Sequence, residues 1–249
     1  MGERQANTLD LNGLANNKEL TEDEKKMALI YDTHTIEMPI FRNIKYKRKP
    51  FFSFIKRTFD IFASLLGITI LSPLLIVIAI IIKCSDGGTV FFKQKRVGKN
   101  GKKFTMYKFR SMIPNADAMV VELQDKNEAS GPMFKIKNDP RITKIGKFIR
   151  KTSIDELPQL FNVLNGSMSL VGPRPALPRE VTQYSVQQTA RLLVKPGITC
   201  IWQVSGRSTI PFEKQVEMDI DYVQHRSVWL DTKLLFKTIP AVLSHKGAE

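Results

Sequence analysis

Residues 61–82 read IFASLLGITILSPLLIVIAIII, 22 consecutive positions without a charge. About 20 apolar residues carry a helix across the hydrocarbon of a bilayer. The run is apolar on all sides rather than along one stripe, which suits lipid better than the alternative of a buried core helix. Ser72-Pro73 sits at its middle. Pro73 cannot donate to the Thr69 carbonyl, and its ring bends a helix. The Ser72 hydroxyl is placed to satisfy a freed carbonyl. Lys56 and Arg57 precede the run, and Lys83, Lys93, Lys95 and Arg96 follow it. Cations mark the cytoplasmic side, so a straight span would leave one cluster outside. A helix that enters, bends at Ser72-Pro73 and leaves on the same side accounts for both facts; a kinked spanning helix is the alternative.

Outward from this run the chain changes character twice. Residues 38–57 are basic and aromatic, including Phe41, Arg42, Tyr46, Phe51, Phe52 and Phe54. That mixture fits a membrane interface, with cations on anionic headgroups and rings at the boundary. Further back, residues 1 to about 37 are polar and lean acidic, a composition that buries little. Met1 to Asn17 has no apolar core, so no cleavable signal peptide is expected. On the other side, residues 90–92 and 103–109 are short mixed runs around Gly98-Lys99-Asn100-Gly101, a β-hairpin pattern. Residues 114–130 look helical. The i, i+3, i+4, i+7 set Leu157, Leu160, Phe161 and Leu164 predicts a helix over 154–164 that closes at Gly166.

The chain has 249 residues and 38 Lys+Arg against 24 Asp+Glu, a net charge of +14. Such a surplus favours nucleic acid, anionic lipid or a phosphorylated substrate. A nucleic-acid module explains neither the apolar run nor the acidic pair described next. Cys84 and Cys200 stand in no metal-ligand spacing, which fits free thiols in a reducing compartment.

Arg150 to Pro175 reads RKTSIDELPQLFNVLNGSMSLVGPRP. Ser153 is expected to cap a helix, putting Asp155 and Glu156 in a first turn where free N–H groups favour anions. Gly172-Pro173-Arg174-Pro175 is a rigid turn that presents one arginine, a fork suited to phosphate. Carboxylates beside several arginines are expected to stay ionised. An ionised aspartate serves as nucleophile or as metal ligand. A second stretch, Lys195 to Ser208, reads KPGITCIWQVSGRS and places Arg207 after a turn at Gly206. Asp219-Ile220-Asp221 has the Asp-x-Asp spacing of metal-dependent nucleotide-sugar glycosyltransferases, a rival reading. His34, His225 and His245 stand in no nucleophile context, and neither a Walker loop nor G-x-G-x-x-G occurs.

With these motifs in this order, the chain resembles the bacterial sugar transferases, or monotopic phosphoglycosyl transferases, of the type that start exopolysaccharide, capsule or O-antigen assembly. The resemblance runs from about Lys56 to the C-terminus. It rests on KRTFDI at 56–61 with the Ser72-Pro73 break, YKFRSM at 107–112, SIDELPQLFNVL at 153–164, the Gly-Pro-Arg-Pro turn, and Pro-Gly-Ile-Thr followed by Gln203-Val204-Ser205-Gly206-Arg207. Cys200 departs from it, since relatives commonly carry glycine there.

The resemblance implies an α+β, mostly helical, monotopic membrane protein. Its parts would be a re-entrant kinked helix, amphipathic interfacial helices and a small β-hairpin. Composition and charge divide the chain into a polar, then basic N-terminal extension (1–50), a membrane helix (51–83) and a catalytic domain (84–249), expected at the cytoplasmic face of a bacterial membrane. Asp155 would attack the β-phosphorus of a UDP-sugar and release UMP, and Glu156 would hold Mg²⁺. Undecaprenyl phosphate would then take the sugar phosphate, glucose or galactose phosphate by likeness to the exopolysaccharide type. Lys108, Arg150, Arg174 and Arg207 match basic positions that line such sites. Asp231 matches an acidic position near them. Anionic lipid is an expected partner and nucleic acid is not; a homo-oligomer is left open.

Overall fold

In the computed structural model the described residues are 49–244, apart from 117, 121, 129, 130, 133, 135 and 137. The polar extension, most of the basic-aromatic segment, His34 and His245 therefore lie outside the described residues. The described residues are mostly helical, with two small sheets and one long apolar helix.

Helix α1, Pro50–Asp86, is 37 residues long, about 55 Å at 1.5 Å per residue. Its helical backbone runs on through Pro73. The Ser72 hydroxyl donates to the Thr69 carbonyl at 2.8 Å, filling the acceptor that Pro73 cannot serve. Among the described residues this helix is the one long and apolar enough to cross a membrane. One stripe of α1 touches the rest of the protein along its whole length. Arg57 donates to the carbonyls of Val163 and Leu164 at 2.6 and 2.8 Å. Asp60 accepts the Leu170 amide at 3.0 Å. Ser64 is buried, and Gly67 lies against Leu160. Leu75, Ile78 and Ile82 pack with Phe109 and Ile149. This 3–4 spacing is a helix face. The opposite face exposes Phe51, Phe54, Phe62, Leu66, Ile70, Val77 and Ile80.

Strands β1 (Phe91–Val97) and β2 (Lys103–Phe109) form the expected antiparallel hairpin, with Phe92 opposite Lys108 and Arg96 opposite Phe104. Asn100 and Gly101 turn its tip with φ of 57° and 77°. Helix α2 (Lys144–Lys151) is capped by the Thr143 hydroxyl, which accepts from Gly146 N–H at 2.9 Å. A Cβ at Gly146 would stand 1.9 Å from the Ser111 carbonyl, so only glycine lets α2 approach that strand end. Helix α3 (Gln159–Leu164) hooks the free edge of β2 through Asn162, which accepts from Tyr107 N–H at 2.9 Å and donates to Thr105 O at 2.7 Å. That hook brings the segment just before α3 beside Lys108.

Three expectations change here. Ser153 is no N-cap: it has φ of 56° and makes no capping bond. The predicted helix over 154–164 is split into a 3₁₀ turn, Ile154–Glu156, and α3. Pro158 has no N–H for the Ile154 carbonyl, which the Leu157 amide takes at 3.1 Å instead. Between 114 and 130 the described residues form two 3₁₀ turns, Ala118–Val120 and Gln124–Lys126, after Asn115 enters the left-handed region at φ 60°.

A second sheet, which the sequence did not announce, pairs β3 (Ser169–Val171) in parallel with β4 (Gly197–Thr199). Strands of three residues carry too little alternation to be seen in sequence. The Gly172–Pro175 turn is sewn on both sides. Gly172 N–H donates to Thr199 O, Gly197 N–H to Pro173 O, and Val97 N–H to Ala176 O, at 3.0, 2.9 and 2.9 Å. The short helix α4 (Pro178–Val181) follows, and α5 (Phe212–His225) and α6 (Val228–Leu243) are the last helices among the described residues. Tyr222, Val223 and Leu234 from the last two close a core on Val171 and Leu193.

Candidate active site

Asp155 and Glu156 sit on the 3₁₀ turn, with Asp155 buried. Lys108 reaches them from β2: its Nζ stands 2.7 Å from Glu156 Oε1 and 3.7 Å from Asp155 Oδ2. The pair opens into a cavity of about 1390 Å³. Arg150 from the last turn of α2, Arg174 from the rigid turn and Arg207 line the same cavity. The five residues Lys108, Arg150, Glu156, Arg174 and Arg207 are thus gathered with Asp155 from four separate parts of the chain. Arg207 holds φ of 53°, a left-handed conformation that costs a non-glycine residue about 1–2 kcal/mol. With Asn115 and Ser153 it makes three such residues lining the cavity, the kind of strain that clusters at functional sites.

The carboxylates differ. Burial pushes Asp155 up to about 6, opposed by Lys108 and reinforced by Glu156. The expected ionisation near neutral pH is compatible with this value, but the cations do not lower Asp155, because desolvation outweighs them. Burial also acts upward on Glu156, but Lys108, Arg174 and Arg207 outweigh it and leave Glu156 below the usual carboxylate range.

Two acidic candidates lie elsewhere. Asp231 is not among the cavity-lining residues. It pairs with Lys56 of α1 at 2.6 Å and accepts the Tyr222 hydroxyl at 2.8 Å, so it ties the long helix to the core. Asp231→Ala would strand the Lys56 ammonium, and removing one partner of a buried pair costs about 3 kcal/mol. Thermal unfolding in detergent should show a midpoint lowered by roughly 6–12 °C; an unchanged midpoint would refute this role. Asp219 and Asp221 sit two residues apart on α5 and face different ways. Asp219 is fully buried on Arg191, while Asp221 is exposed beside His225. They cannot share one metal, which removes the basis of the Asp-x-Asp reading.

Arg96 and Glu180 are among the cavity residues that the sequence did not single out as site residues. Arg96, read there as a membrane-flanking cation, is buried, and so is Glu180. The signal for Arg96 was period two: Phe92, Gln94 and Arg96 share the face of β1 that lines the cavity, while Lys93 and Lys95 are exposed. Glu180 had no such signal.

For a divalent cation, the donor set is limited. Among the described residues no three His, Cys, Asp or Glu side chains cluster. One or two carboxylates do suit Mg²⁺ when substrate phosphates complete its shell. Apolar side chains of α1 and α6, including Leu71, Leu235 and Val242, join the cavity wall. The lining therefore combines charged side chains with apolar ones, Leu71 being the contribution of α1.

The family described as bacterial sugar transferase matches residues 51–245. The galactosyl transferase CpsE of Streptococcus agalactiae is 48% identical over 195 residues, 78% of this chain and 43% of the relative. The undecaprenyl-phosphate galactose phosphotransferase of Salmonella typhimurium is 44% identical over 226 residues, 89% of this chain and 47% of the relative. The exopolysaccharide production protein ExoY of Rhizobium meliloti is 40% identical over 204 residues, 80% of this chain and 90% of the relative. The chain thus spans under half the length of the first two relatives.

Proposed function

Because the chain belongs to the bacterial sugar transferase family, we propose that it transfers a sugar 1-phosphate from a UDP-sugar to undecaprenyl phosphate and releases UMP. The observation that carries this reading is the Asp155-Glu156 pair in a cation-lined cavity that Leu71 of the apolar helix α1 also lines. A charged donor and an apolar-tailed acceptor can both reach it.

An Asp155 carboxylate oxygen attacks the β-phosphorus, and the bond from that phosphorus to the oxygen bridging the α-phosphate breaks. UMP leaves with that electron pair. A phosphate oxygen of the lipid acceptor then attacks the same phosphorus and frees the Asp155 carboxylate. One hard transfer between anions becomes two easier ones. Lys108, Arg150, Arg174 and Arg207 offset the charge that the phosphates bring. Glu156 would be the carboxylate that holds Mg²⁺, which would supply neutralisation of phosphate charge. The sugar is glucose or galactose, and the names of two relatives favour galactose. The decisive assay incubates purified protein with undecaprenyl phosphate and a panel of UDP-sugars. UMP release supports the reading, and UDP release overturns it.

The membrane seat is part of the same proposal. Helix α1 enters one leaflet, bends at Ser72-Pro73 and returns to the cytoplasmic face, where anionic headgroups meet its basic flanks. In support, both its ends pack on one domain: Lys49 Nζ reaches Arg226 O at 2.8 Å, and Ile82 packs beside Phe109 and Ile149. Val228, Trp229, Phe236, Ile239 and Leu243 of α6 are exposed and suit the interface plane. In a Cys84→Ser background, single cysteines at Lys49 and Lys99 should both resist an impermeant thiol reagent outside intact cells. Labelling of one alone would show a spanning helix. Pro73→Ala restores the missing N–H and favours that spanning form.

A further inference from the structure

A buried arginine that the proposed chemistry leaves unused stands behind the turn that presents Arg174. Arg96 is 7% exposed. Its Nη1 donates to the Pro175 carbonyl at 3.0 Å and its Nη2 to Gln94 Oε1 at 2.6 Å. The neighbouring Val97 amide binds the Ala176 carbonyl, so β1 grips the turn at two successive points. On the other side Glu180, 2% exposed, accepts the Leu177 amide at 2.8 Å and stands 3.4 Å from Arg174 Nη1.

We propose that Arg96 is a positioning residue for Arg174. From the hairpin it fixes the Pro175 carbonyl, and Glu180 restrains the Arg174 guanidinium, so that the fork of Arg174 meets a diphosphate already aligned. The inference rests on the reading that Arg174 binds phosphate.

Charge makes the arrangement costly, and the cost argues for a purpose. Arg191 is matched by Asp219, which leaves Glu180 to face both Arg96 and Arg174. Burial, then the repulsion of Arg174, depresses Arg96 to about 9. An apolar side chain would fill the place of a buried guanidinium more cheaply. What the guanidinium adds is a charge-assisted hold on one carbonyl, the carbonyl next to Arg174. Misplacing a phosphate donor by about 1 Å can cost on the order of 10²-fold in rate.

A double-mutant cycle tests this on the full chain in detergent, with UDP-galactose, undecaprenyl phosphate and UMP release as readout. Arg96→Gln and Arg174→Lys should each lower kcat/KM by about 10²-fold. The double variant should be only a few-fold worse than the poorer single one, because both changes remove the same aligned contact. Arg96→Lys should recover part of the loss, since one ammonium still reaches the Pro175 carbonyl. Losses that multiply in the double variant would overturn the inference, because a merely structural Arg96 acts independently of Arg174. If Arg96→Gln does not fold, Arg96→Lys takes its place in the cycle: it keeps the buried charge and loosens the hold on the Pro175 carbonyl. The same non-additivity is expected, and multiplying losses overturn it. An active wild type with multiplying losses defeats this inference alone. A wild type that releases no UMP from any UDP-sugar defeats the transfer reading and this inference together.

Discussion

Asp155→Asn is expected to abolish turnover, by a factor on the order of 10⁴–10⁶, the scale of removing a catalytic nucleophile. Asparagine has nearly the same shape, so the 3₁₀ turn and its packing should survive and the circular dichroism spectrum should not change. The amide cannot attack phosphorus. Wild-type protein given UDP-galactose without lipid should release a burst of UMP close to one per active site, and mass spectrometry should find a hexose phosphate on the peptide that contains Asp155. The asparagine variant should show neither. Substantial residual activity, or an adduct on Asp219, would overturn the assignment. The buried pairing of Asp219 with Arg191 already argues against that residue.

The second large effect concerns Lys108, the cation nearest both acids. Lys108→Met removes the strongest attraction on Asp155 and on Glu156, and leaves two adjacent carboxylates facing an incoming diphosphate. Loss of one preorganised cation should lower kcat/KM by about 10²–10³-fold. A change in pH dependence should accompany it. Asp155 attacks as the carboxylate, so wild-type kcat/KM should fall as pH drops through about 6. Without Lys108 the carboxylate is less favoured, its pKa rises, and the fall should begin at a higher pH. A pH profile that keeps its acid limb in Lys108→Met would show that Lys108 does not govern Asp155.

Some of this architecture was written in the sequence, because local patterns carry it. The uncharged run 61–82 requires a long apolar helix, and the turn residues 98–101 between two mixed runs require a hairpin. The acidic pair, the Gly-Pro-Arg-Pro turn and the basic positions named with them stand close in sequence to recognisable punctuation, and they do gather at one cavity. Ser72 was seen to sit where it could satisfy the carbonyl that Pro73 abandons, a relation of three residues.

What spans longer distances was decided only in the folded chain. Periodicity says that a residue is inside, not what it meets there. Arg96 was one cation among many until β1 placed it against Pro175, and Glu180 became its counter-charge only through the packing of α4. Asp231 matched an acidic position near the site, and only the docking of α1 showed its pairing with Lys56. The run 61–82 looked apolar all round, but the polar side chains just before it, Arg57 and Asp60, and the buried Ser64 mark the one face that meets protein. How readily Asp155 ionises depends on its burial as well as on its neighbours, and burial is a property of the whole fold. Desolvation there outweighs the nearby cations, which no count of local charges could have shown.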